Sequence, residues 1–412
     1  MTEASVLSSD EDLPDVLPYD PWDPSFHDDP YAVFDRIRET HGPVVKTKIG
    51  LALLGFDEVS EALRHPHLGR GNGSGATEGM MPTDEGPQRA FMFMDPPDHT
   101  RIRSLVSKSL TPRLVERVRP KATEYVAGLI AEAQRKGGVV DLAPTIFRPL
   151  GAFGMNTLMG VPEEYLAESI EMATDGGRGL DPEYTLPQES VDARNRLRDW
   201  MGKLSKDLMH LRREQPAEDL MTEMVQAEEQ GDRLTGIEVI TTAMNIMLPG
   251  FSAPQAMMGL ATHALLSRPD QLAWFRANPD KVADAVEELI RFDTAVQIVN
   301  RTALRPVEIA GHQLAEGQEV YMLLGAANRD PRAFADPNEL DLSRPVKRNV
   351  GFGHGIHFCV AAPVARLLTQ VALSELVKYE LTPTTDAPPS NGALAIRSYT
   401  ELPVVFGERR FG

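Results

Sequence analysis

The single cysteine of this 412-residue chain, Cys359, lies in the stretch VGFGHGIHFCVAAPVAR, residues 350–366. Glycines at 351, 353 and 355 precede it. Glycine adopts backbone angles that are closed to other residues, which lets a planar ligand approach the chain closely. From Cys359 onward, the composition CVAAPVARLLTQVALSELV predicts a helix. The sulphur is therefore expected at a helix N-terminus, where the dipole and free N–H groups stabilise a thiolate.

Three roles for this thiol can be compared: a haem ligand, an unreactive buried side chain and a zinc ligand. A thiolate in such a turn can be an axial ligand of haem iron. A lone cysteine is more commonly a buried and unreactive side chain, which is the default from the cysteine alone. A zinc site formed by His354, His357 and Cys359 is disfavoured, because these residues are crowded in sequence and no second ligand pair accompanies them.

Composition limits the classes of protein to consider. The net charge of −18 and the pI of about 5.0 argue against nucleic acid or an anionic membrane as the main partner. One cysteine excludes an intramolecular disulphide. Residues 1–18 carry five acids and no bases, which predicts a disordered acidic leader and not a signal peptide. No run of eighteen apolar residues occurs, so we expect no membrane span and a cytoplasmic protein.

Helical periodicity dominates the rest of the chain. A long apolar segment, residues 233–269, opens with the capping box Thr235 and Glu238. Residues 69–90 are rich in glycine and polar groups and predict a flexible loop. Other predicted helices are DPYAVFDRIRET, FDEVSEALRHP, ATEYVAGLIAEAQRKGG and PDKVADAVEELIRF; predicted strands are VVKTKIGLALLG and RTALRPVEIAGHQLAEGQEVYMLL, the latter an antiparallel sheet with a Gly-His turn. No linker divides residues 19–412, so we expect one domain, mainly α with a small β part.

The segment FGHGIHFC resembles the haem-binding loop of the cytochrome P-450 superfamily, whose pattern is Phe-Gly-x-Gly-x-His/Arg-x-Cys-x-Gly. The matching residues are Phe352, Gly353, Gly355, His357 and Cys359, and the final position is Ala361 in this chain. Further blocks follow in the family's order over nearly the whole chain: MDPPDHTRIRSLVSKSLTP, EELIR and NRDPRAFADPNELDLSRP. The resemblance implies the cytochrome P-450 fold and haem b, with Cys359 as the metal ligand and Phe352, Gly353 and Ala361 in the cofactor-binding loop.

The same resemblance implies roles for charged residues. Glu288 and Arg291 lie three residues apart on one helical face. Ion pairs with this spacing are usually exposed to solvent and contribute little to the stability of the fold. In the family this pair is buried and joined by a residue that matches Arg344, and the three hold the loop before the cysteine. Contacts to the haem propionates are implied at His99, Arg103, Arg301 and His357, where charge-assisted hydrogen bonds to carboxylates explain the residue types.

The long helix departs from the family pattern. The family usually carries Ala/Gly-Gly-x-Asp/Glu-Thr there, and the acid and the alcohol relay protons during oxygen activation. This chain reads LPGFSAP, in which Gly250 fits, Ser252 takes the place of the acid and Ala253 that of the alcohol. The usual relay is therefore absent.

Two prolines in this segment suggest a substitute. Pro254 has no N–H for the carbonyl of Gly250, and Pro249 has none for that of Asn245, so a kink is predicted. One hypothesis is that Gly250 and Ser252 hold a water that delivers protons. The alternative is that the prolines only shape a pocket.

By position in the family pattern, the substrate pocket is composed mostly of apolar residues, which predicts a small hydrophobic or aromatic substrate. Such a Met/Phe-rich set is also typical of an ordinary core. The candidate residues are Asn245, Leu248, Pro249, Phe251, Ala253, Val296, Gln297 and Tyr399, with Ile298 and the loop around Met80, Met81, Phe91 and Phe93.

Electrons are expected from a separate ferredoxin and ferredoxin reductase that use NADH or NADPH, because no flavin module follows the haem segment. Residues 101–119 contain six bases and a single acid, and Lys347 and Arg348 precede the cysteine loop. If both segments flank the proximal face, they form a basic patch for an acidic ferredoxin. A solvated helix face is the ordinary alternative.

Three functions remain open. The favoured one is a ferredoxin-dependent haem-thiolate monooxygenase that inserts one oxygen atom from O2 into its substrate. The second keeps the haem but changes the reaction to O-demethylation of methoxylated aromatics, oxidative coupling or peroxide-driven chemistry, and the altered GFSAP segment motivates it. The third is a non-catalytic haem carrier or sensor.

Overall fold

A computed structural model describes residues 13–71, 80–81, 83, 86, 88–175, 181, 186–229, 234–345 and 348–410. The chain is mainly helical and carries short strands, which confirms the predicted mainly α fold with a small β part. The helices are α1 Pro24–Asp28, α2 Pro30–His41, α3 Phe56–Arg64, α4 Asp98–Ser109, α5 Pro112–Glu116, α6 Val118–Lys136, α7 Arg148–Met159, α8 Leu166–Asp175, α9 Gln188–Glu214, α10 Leu220–Glu229, α11 Gly236–Leu266, α12 Pro269–Ala277, α13 Val282–Phe292, α14 Leu324–Asn328 and α15 Ala362–Leu376. The strands are β1 Val44–Thr47, β2 Gly50–Leu53, β3 Leu68–Gly69, β4 Met80–Met81, β5 Gln88–Arg89, β6 Val139–Asp141, β7 Ile298–Ala303, β8 Val307–Ile309, β9 His312–Leu314, β10 Glu319–Leu323, β11 Tyr379–Pro383 and β12 Pro403–Arg409.

Local signals set the ends of several helices, and the capping box of α11 and the glycine at the end of α6 were predicted. The Thr235 side chain accepts from the N–H of Glu238, whose carboxylate accepts in return from the N–H of Thr235, so α11 begins with a complete capping box. Asp29 caps α2, and α6 ends before Gly137. The α15 helix begins at Ala362, three residues later than the composition predicts, because Cys359, Val360 and Ala361 form a turn ahead of it.

One sheet has the strand order β1-β2-β10-β7-β3. The antiparallel sheet predicted for residues 301–324 is present as the pairs β7–β10 and β8–β9, but the turn between β8 and β9 is formed by Ala310 and Gly311, and His312 of the predicted Gly-His turn begins β9. The strands β1 and β2 also pair antiparallel. The β2–β10 pair is parallel and joins residues about 270 positions apart, with Gly50 opposite Glu319 and Leu53 opposite Met322. Most of the predicted 69–90 loop lies outside the described residues.

Helix α11 lies at the centre of the core. It is buried along nearly its whole length and continues as a helix through Pro249 and Pro254. It packs against α7, α9 and α15, and the ring of Phe251 contacts Trp200 of α9 at a centroid distance of 6.3 Å. A helix that is apolar on all sides is typical of a core position. The neighbouring elements therefore pack around α11. Among the described helices, none has the length and apolar character needed to cross a membrane.

A buried ion network connects α13 to the cysteine loop. Glu288 and Arg291 are both 0% exposed and share two hydrogen bonds of 2.7 and 2.8 Å. Arg344 donates to the same carboxylate at 3.2 Å. Arg291 also donates to the carbonyl of Asn328, whose side-chain oxygen accepts from the N–H of Val350 at 2.8 Å. The network therefore holds the backbone immediately before the cysteine loop.

The predicted leader, residues 1–18, lies partly outside the described residues, since those begin at residue 13. In the described part, the carbonyl of Pro14 accepts from the N–H of Lys48 at 2.9 Å, and Asp15 pairs with the Lys48 ammonium. These contacts place residues 14 and 15 beside the turn between β1 and β2. Disorder of the leader stays a prediction.

Replacing Arg291 tests the network. Arg291→Ala leaves Glu288 as a buried carboxylate with Arg344 as its remaining cation, so we expect a loss of about 3–5 kcal/mol in the free energy of unfolding. The matched control is Arg119→Ala, which removes another i,i+3 pair, with Glu116, that is largely exposed. We expect about 0–1 kcal/mol there. Urea titration measures both, and equal losses would contradict a special role for the buried pair.

Candidate active site

The loop that carries Cys359 is shaped by hydrogen bonds and two left-handed glycines. The N–H of Cys359 donates to the carbonyl of Phe352 at 2.9 Å, and the N–H of Gly353 donates to Val350 at 2.8 Å. Gly353 and Gly355 have φ values of 70° and 71°. A Cβ at Gly355 would also lie 2.4 Å from the carbonyl oxygen of Leu63. Residues other than glycine at positions 353 and 355 would strain the loop.

Cys359 lies two residues before Ala361, the N-cap of α15, and its sulphur is beside the N–H groups of Ala361 and Ala362 at the start of that helix. Burial raises the pKa of the thiol, while the N–H groups of Ala361 and Ala362 and the guanidiniums of Arg103 and Arg366 lower it by a smaller amount. The protein groups alone therefore favour the thiol. A metal cation bound to the sulphur would supply the missing stabilisation of the thiolate.

Ala361 occupies the position where the family pattern has glycine. Its backbone angles are φ −89° and ψ 7°, which an L-residue adopts without strain. The departure from the pattern is therefore compatible with the loop conformation.

Cys359 lines a cavity of about 330 Å³. One face of α11 forms part of its wall, and the positions recur at intervals of three and four residues, as expected for one side of a helix. The wall residues from α11 are Asn245, Ile246, Pro249, Gly250, Ala253, Pro254, Met257 and Ala261; those from the region after α13 include Ala295, Val296, Ile298, Val299, Asn300 and Arg301.

About half of the predicted substrate residues lie on this wall, namely Asn245, Pro249, Ala253 and Val296, together with Ile298, Phe91 and Phe93. Four do not line it: Leu248, Phe251, Gln297 and Tyr399. Leu248 and Phe251 face the hydrophobic core on another side of α11. Gln297 donates to the carbonyl of Thr294, and the hydroxyl of Tyr399 contacts His263. The side chains of Met80 and Met81 lie outside the described residues.

The two candidate catalytic residues separate in the same way. Gly250 lines the cavity, whereas Ser252 is buried and does not. Two residues along a helix correspond to a turn of about 200°, so Ser252 faces away from the wall that Gly250 shares. This position corrects the expectation that Ser252 stands beside the cavity.

The predicted propionate contacts are two arginines and two histidines that lie close together at the cavity. Arg103, Arg301 and His357 line the cavity, and His99 packs against His357 with a ring-centroid distance of 4.3 Å. Both ring nitrogens of His99 and Nε2 of His357 are buried without a hydrogen-bond partner. Among the described wall residues the one carboxylate is Asp293, which pairs with Arg397.

The pKa values of Arg301 and His357 are lowered by burial and by neighbouring positive charge. Burial, and then the nearby Arg70, lower the pKa of Arg301 to about 9. Burial, followed by Arg301 and His99, lowers the pKa of His357 to about 2. A buried guanidinium favours an anionic ligand, and unpaired imidazole nitrogens favour a ligand that forms hydrogen bonds; the two carboxylates of haem b offer both the charge and the acceptor oxygens. The residues present therefore fit the cofactor: a sulphur for the metal, apolar walls and a cationic group for the carboxylates.

Several wall residues were not predicted, including Met257, Ala261, Arg70, Asn300 and Ile396. Met257 and Ala261 follow Ala253 at intervals of four, so helical spacing would have found them. Ile396 lies three residues before the predicted Tyr399 and Arg70 lies at the start of the predicted 69–90 loop, but no local pattern indicates that either side chain faces the cavity.

Replacing Arg301 tests the carboxylate contact. Arg301→Gln removes one charge-assisted hydrogen bond, worth about 1.5–3 kcal/mol, so haem transfer to an excess of a haem-scavenging protein should become about 10- to 100-fold faster. The exposed Arg305→Gln is the matched control and should leave the rate unchanged. Equal transfer rates in the two variants would exclude Arg301 from holding the cofactor.

Comparison with known proteins identifies the family. The family model for cytochrome P-450 matches residues 282–400. The 6-deoxyerythronolide B hydroxylase of Saccharopolyspora erythraea is 33% identical over 372 residues, covering 85% of this chain and 89% of the relative. The cytochrome P-450 monooxygenase PikC of Streptomyces venezuelae is 32% identical, covering 89% and 87%.

Solved structures show the same fold. The crystal structure of P-450BioI, in complex with an acyl carrier protein ligated to hexadec-9Z-enoic acid, superposes with a TM-score of 0.81 at 28% identity, covering 93% of this chain and 100% of that one. The chain therefore belongs to the cytochrome P-450 family and is a monooxygenase that binds haem b.

Proposed function

We propose that Cys359 is the thiolate ligand of the haem and that the enzyme inserts one oxygen atom from O2 into a largely apolar substrate held against α11. The carrying observation is that one cavity has Cys359, the cations Arg103 and Arg301, and the apolar face of α11 on its wall. Haem b, when bound through Cys359, supplies the oxygen-activating chemistry. The residues of α11 then orient the substrate and exclude water.

The wall residues support an apolar substrate. Phe91, Val296, Ile298 and Ile396 line the cavity together with the α11 face, and their side chains offer no charge to a ligand. The amide oxygen of Asn245 accepts from the N–H of Met92 at 3.3 Å. In P-450BioI the bound partner carries an acyl chain, which is apolar as well. We infer a hydrophobic or aromatic substrate class for this chain.

Proton delivery must differ from the usual acid–alcohol relay, because Ala253 is on the wall and Ser252 is not. The carbonyl of Gly250 has no N–H partner at Pro254, and both residues line the cavity. A water that donates to this carbonyl would stand at the cavity wall and could pass a proton to the reacting oxygen. This proposal keeps the water at the Gly250 carbonyl and removes Ser252 from the hypothesis.

Electrons are proposed to come from ferredoxin and its NADH- or NADPH-dependent reductase, docked near the cysteine loop. The predicted basic patch is partly neutralised by pairs that the sequence does not reveal: Arg101 with Glu238, and Arg113 and Arg117 with Glu218. Lys108 stays exposed, and Lys347 lies outside the described residues. Ile356 and Phe358, which are 50% and 36% exposed, add an apolar surface beside Cys359. We therefore expect a smaller salt effect on reduction than the sequence implies.

The altered relay keeps a second function in consideration, namely oxidative coupling, peroxide-driven chemistry or O-demethylation. The observation in its favour is the absence of an acid and an alcohol on the described wall segment of α11 beside Gly250. Turnover with NADH, ferredoxin and its reductase supports the monooxygenase. Turnover with hydrogen peroxide alone, and none with NADH and ferredoxin, would support the second function.

Coupling measurements on two variants test proton delivery. Pro254→Ala gives the Gly250 carbonyl an N–H partner, so we expect product formed per NADH consumed to fall severalfold. The neighbouring Ser252→Ala is the matched control and should leave that ratio unchanged, because Ser252 is off the cavity wall. Reduced coupling in Ser252→Ala, with normal coupling in Pro254→Ala, would reverse the assignment.

A further inference from the structure

One buried carboxylate outside the cofactor site accepts hydrogen bonds from the backbone of a segment that lines the cavity. Asp181 lies in the connection between α8 and α9 and is 3% exposed. Its Oδ1 accepts from the N–H groups of Leu394 and Ala395 at 3.1 and 2.9 Å, across more than 200 positions of sequence. A carboxylate is costly to bury, and backbone donors of this kind compensate for part of that cost.

The backbone segment that Asp181 contacts, residues 394–397, forms part of the cavity wall. Ala395 and Ile396 line it, and Ile396 forms an isolated β-bridge with Val296 on the same wall. Two backbone hydrogen bonds join this segment to the residues after α13. The N–H of Gln297 donates to the carbonyl of Ala395 at 3.2 Å, and the N–H of Arg397 donates to the carbonyl of Ala295 at 2.8 Å. Asp181 satisfies two further backbone groups of the segment. The segment is therefore held both by the residues after α13 and by Asp181.

We propose that Asp181 is a positioning residue that fixes Ile396 in the substrate cavity and so contributes to substrate specificity. The inference rests on the proposal that this cavity holds the substrate beside the haem. Without the carboxylate, the N–H groups of Leu394 and Ala395 lose their acceptor, and the segment is free to move Ile396 away from the wall. A ligand that fills the cavity then loses apolar contact, whereas a ligand that touches only the metal does not.

Two azoles of different size separate these cases in the ferric holoenzyme. Imidazole needs little more than the iron, and 4-phenylimidazole also needs the cavity wall. In Asp181→Ala we expect the affinity for 4-phenylimidazole, measured by the shift of the haem absorbance band, to fall about fivefold or more, with imidazole within about twofold of the parent. Asp181→Asn keeps an oxygen acceptor and should restore the parent affinities.

The control variant is Asp141→Ala, because Asp141 likewise accepts from two backbone N–H groups, those of Ala143 and Leu402, and none of these residues lines the cavity. It should change neither affinity. If Asp181→Ala does not yield holoenzyme, Asp181→Ser tests the same contact with a shorter side chain. An unchanged ratio of the two affinities in the folded variant would overturn the proposal. Azole binding requires neither ferredoxin nor O2, so a failure of the proposed electron source or reaction is seen separately.

Discussion

Burial imposes two opposite electrostatic requirements on the same cavity wall. Burial raises the pKa of the Cys359 thiol, so a cation bound to the sulphur would stabilise the thiolate. The buried guanidinium of Arg301 has a pKa lowered to about 9, so an anion beside it would stabilise its charge, and His99 and His357 hold buried nitrogens without hydrogen-bond partners. Haem b provides both charges in one molecule, a metal cation and two carboxylates. The cofactor therefore stabilises a wall whose residues are electrostatically unfavourable without it.

The rest of the fold holds the two groups in place. The Glu288–Arg291–Arg344 network reaches Val350 through Asn328, which fixes the start of the loop that ends at Cys359. Arg301 is held differently, in β7, where it lies opposite Val320 of β10. The sulphur and the cation thus come from separate elements that share one core. A displacement of either element would shift one group relative to the other, and the ion pair that supports the cysteine loop is fully buried.

Sequence patterns predicted the elements well and the orientations less well. The capping box of α11 and the hairpin of β8 and β9 depend on local signals, so they were recognisable. The parallel β2–β10 pair joins segments about 270 positions apart and has no local signature. The family pattern placed Ser252, Leu248 and Phe251 at the right stretch of chain, but it did not give the side of the helix. Glu218 and Asp181 act through tertiary contacts that single-sequence reasoning does not reach.

Ligation of the metal by sulphur is tested most directly by the absorbance spectrum of the carbon monoxide adduct of the reduced protein. A thiolate from Cys359 predicts the red-shifted band that is characteristic of haem-thiolate ligation, and Cys359→His should lack this band while still binding haem. A parent protein that binds haem and carbon monoxide, remains folded and shows the spectrum of a nitrogen-ligated haem would contradict the assignment of Cys359.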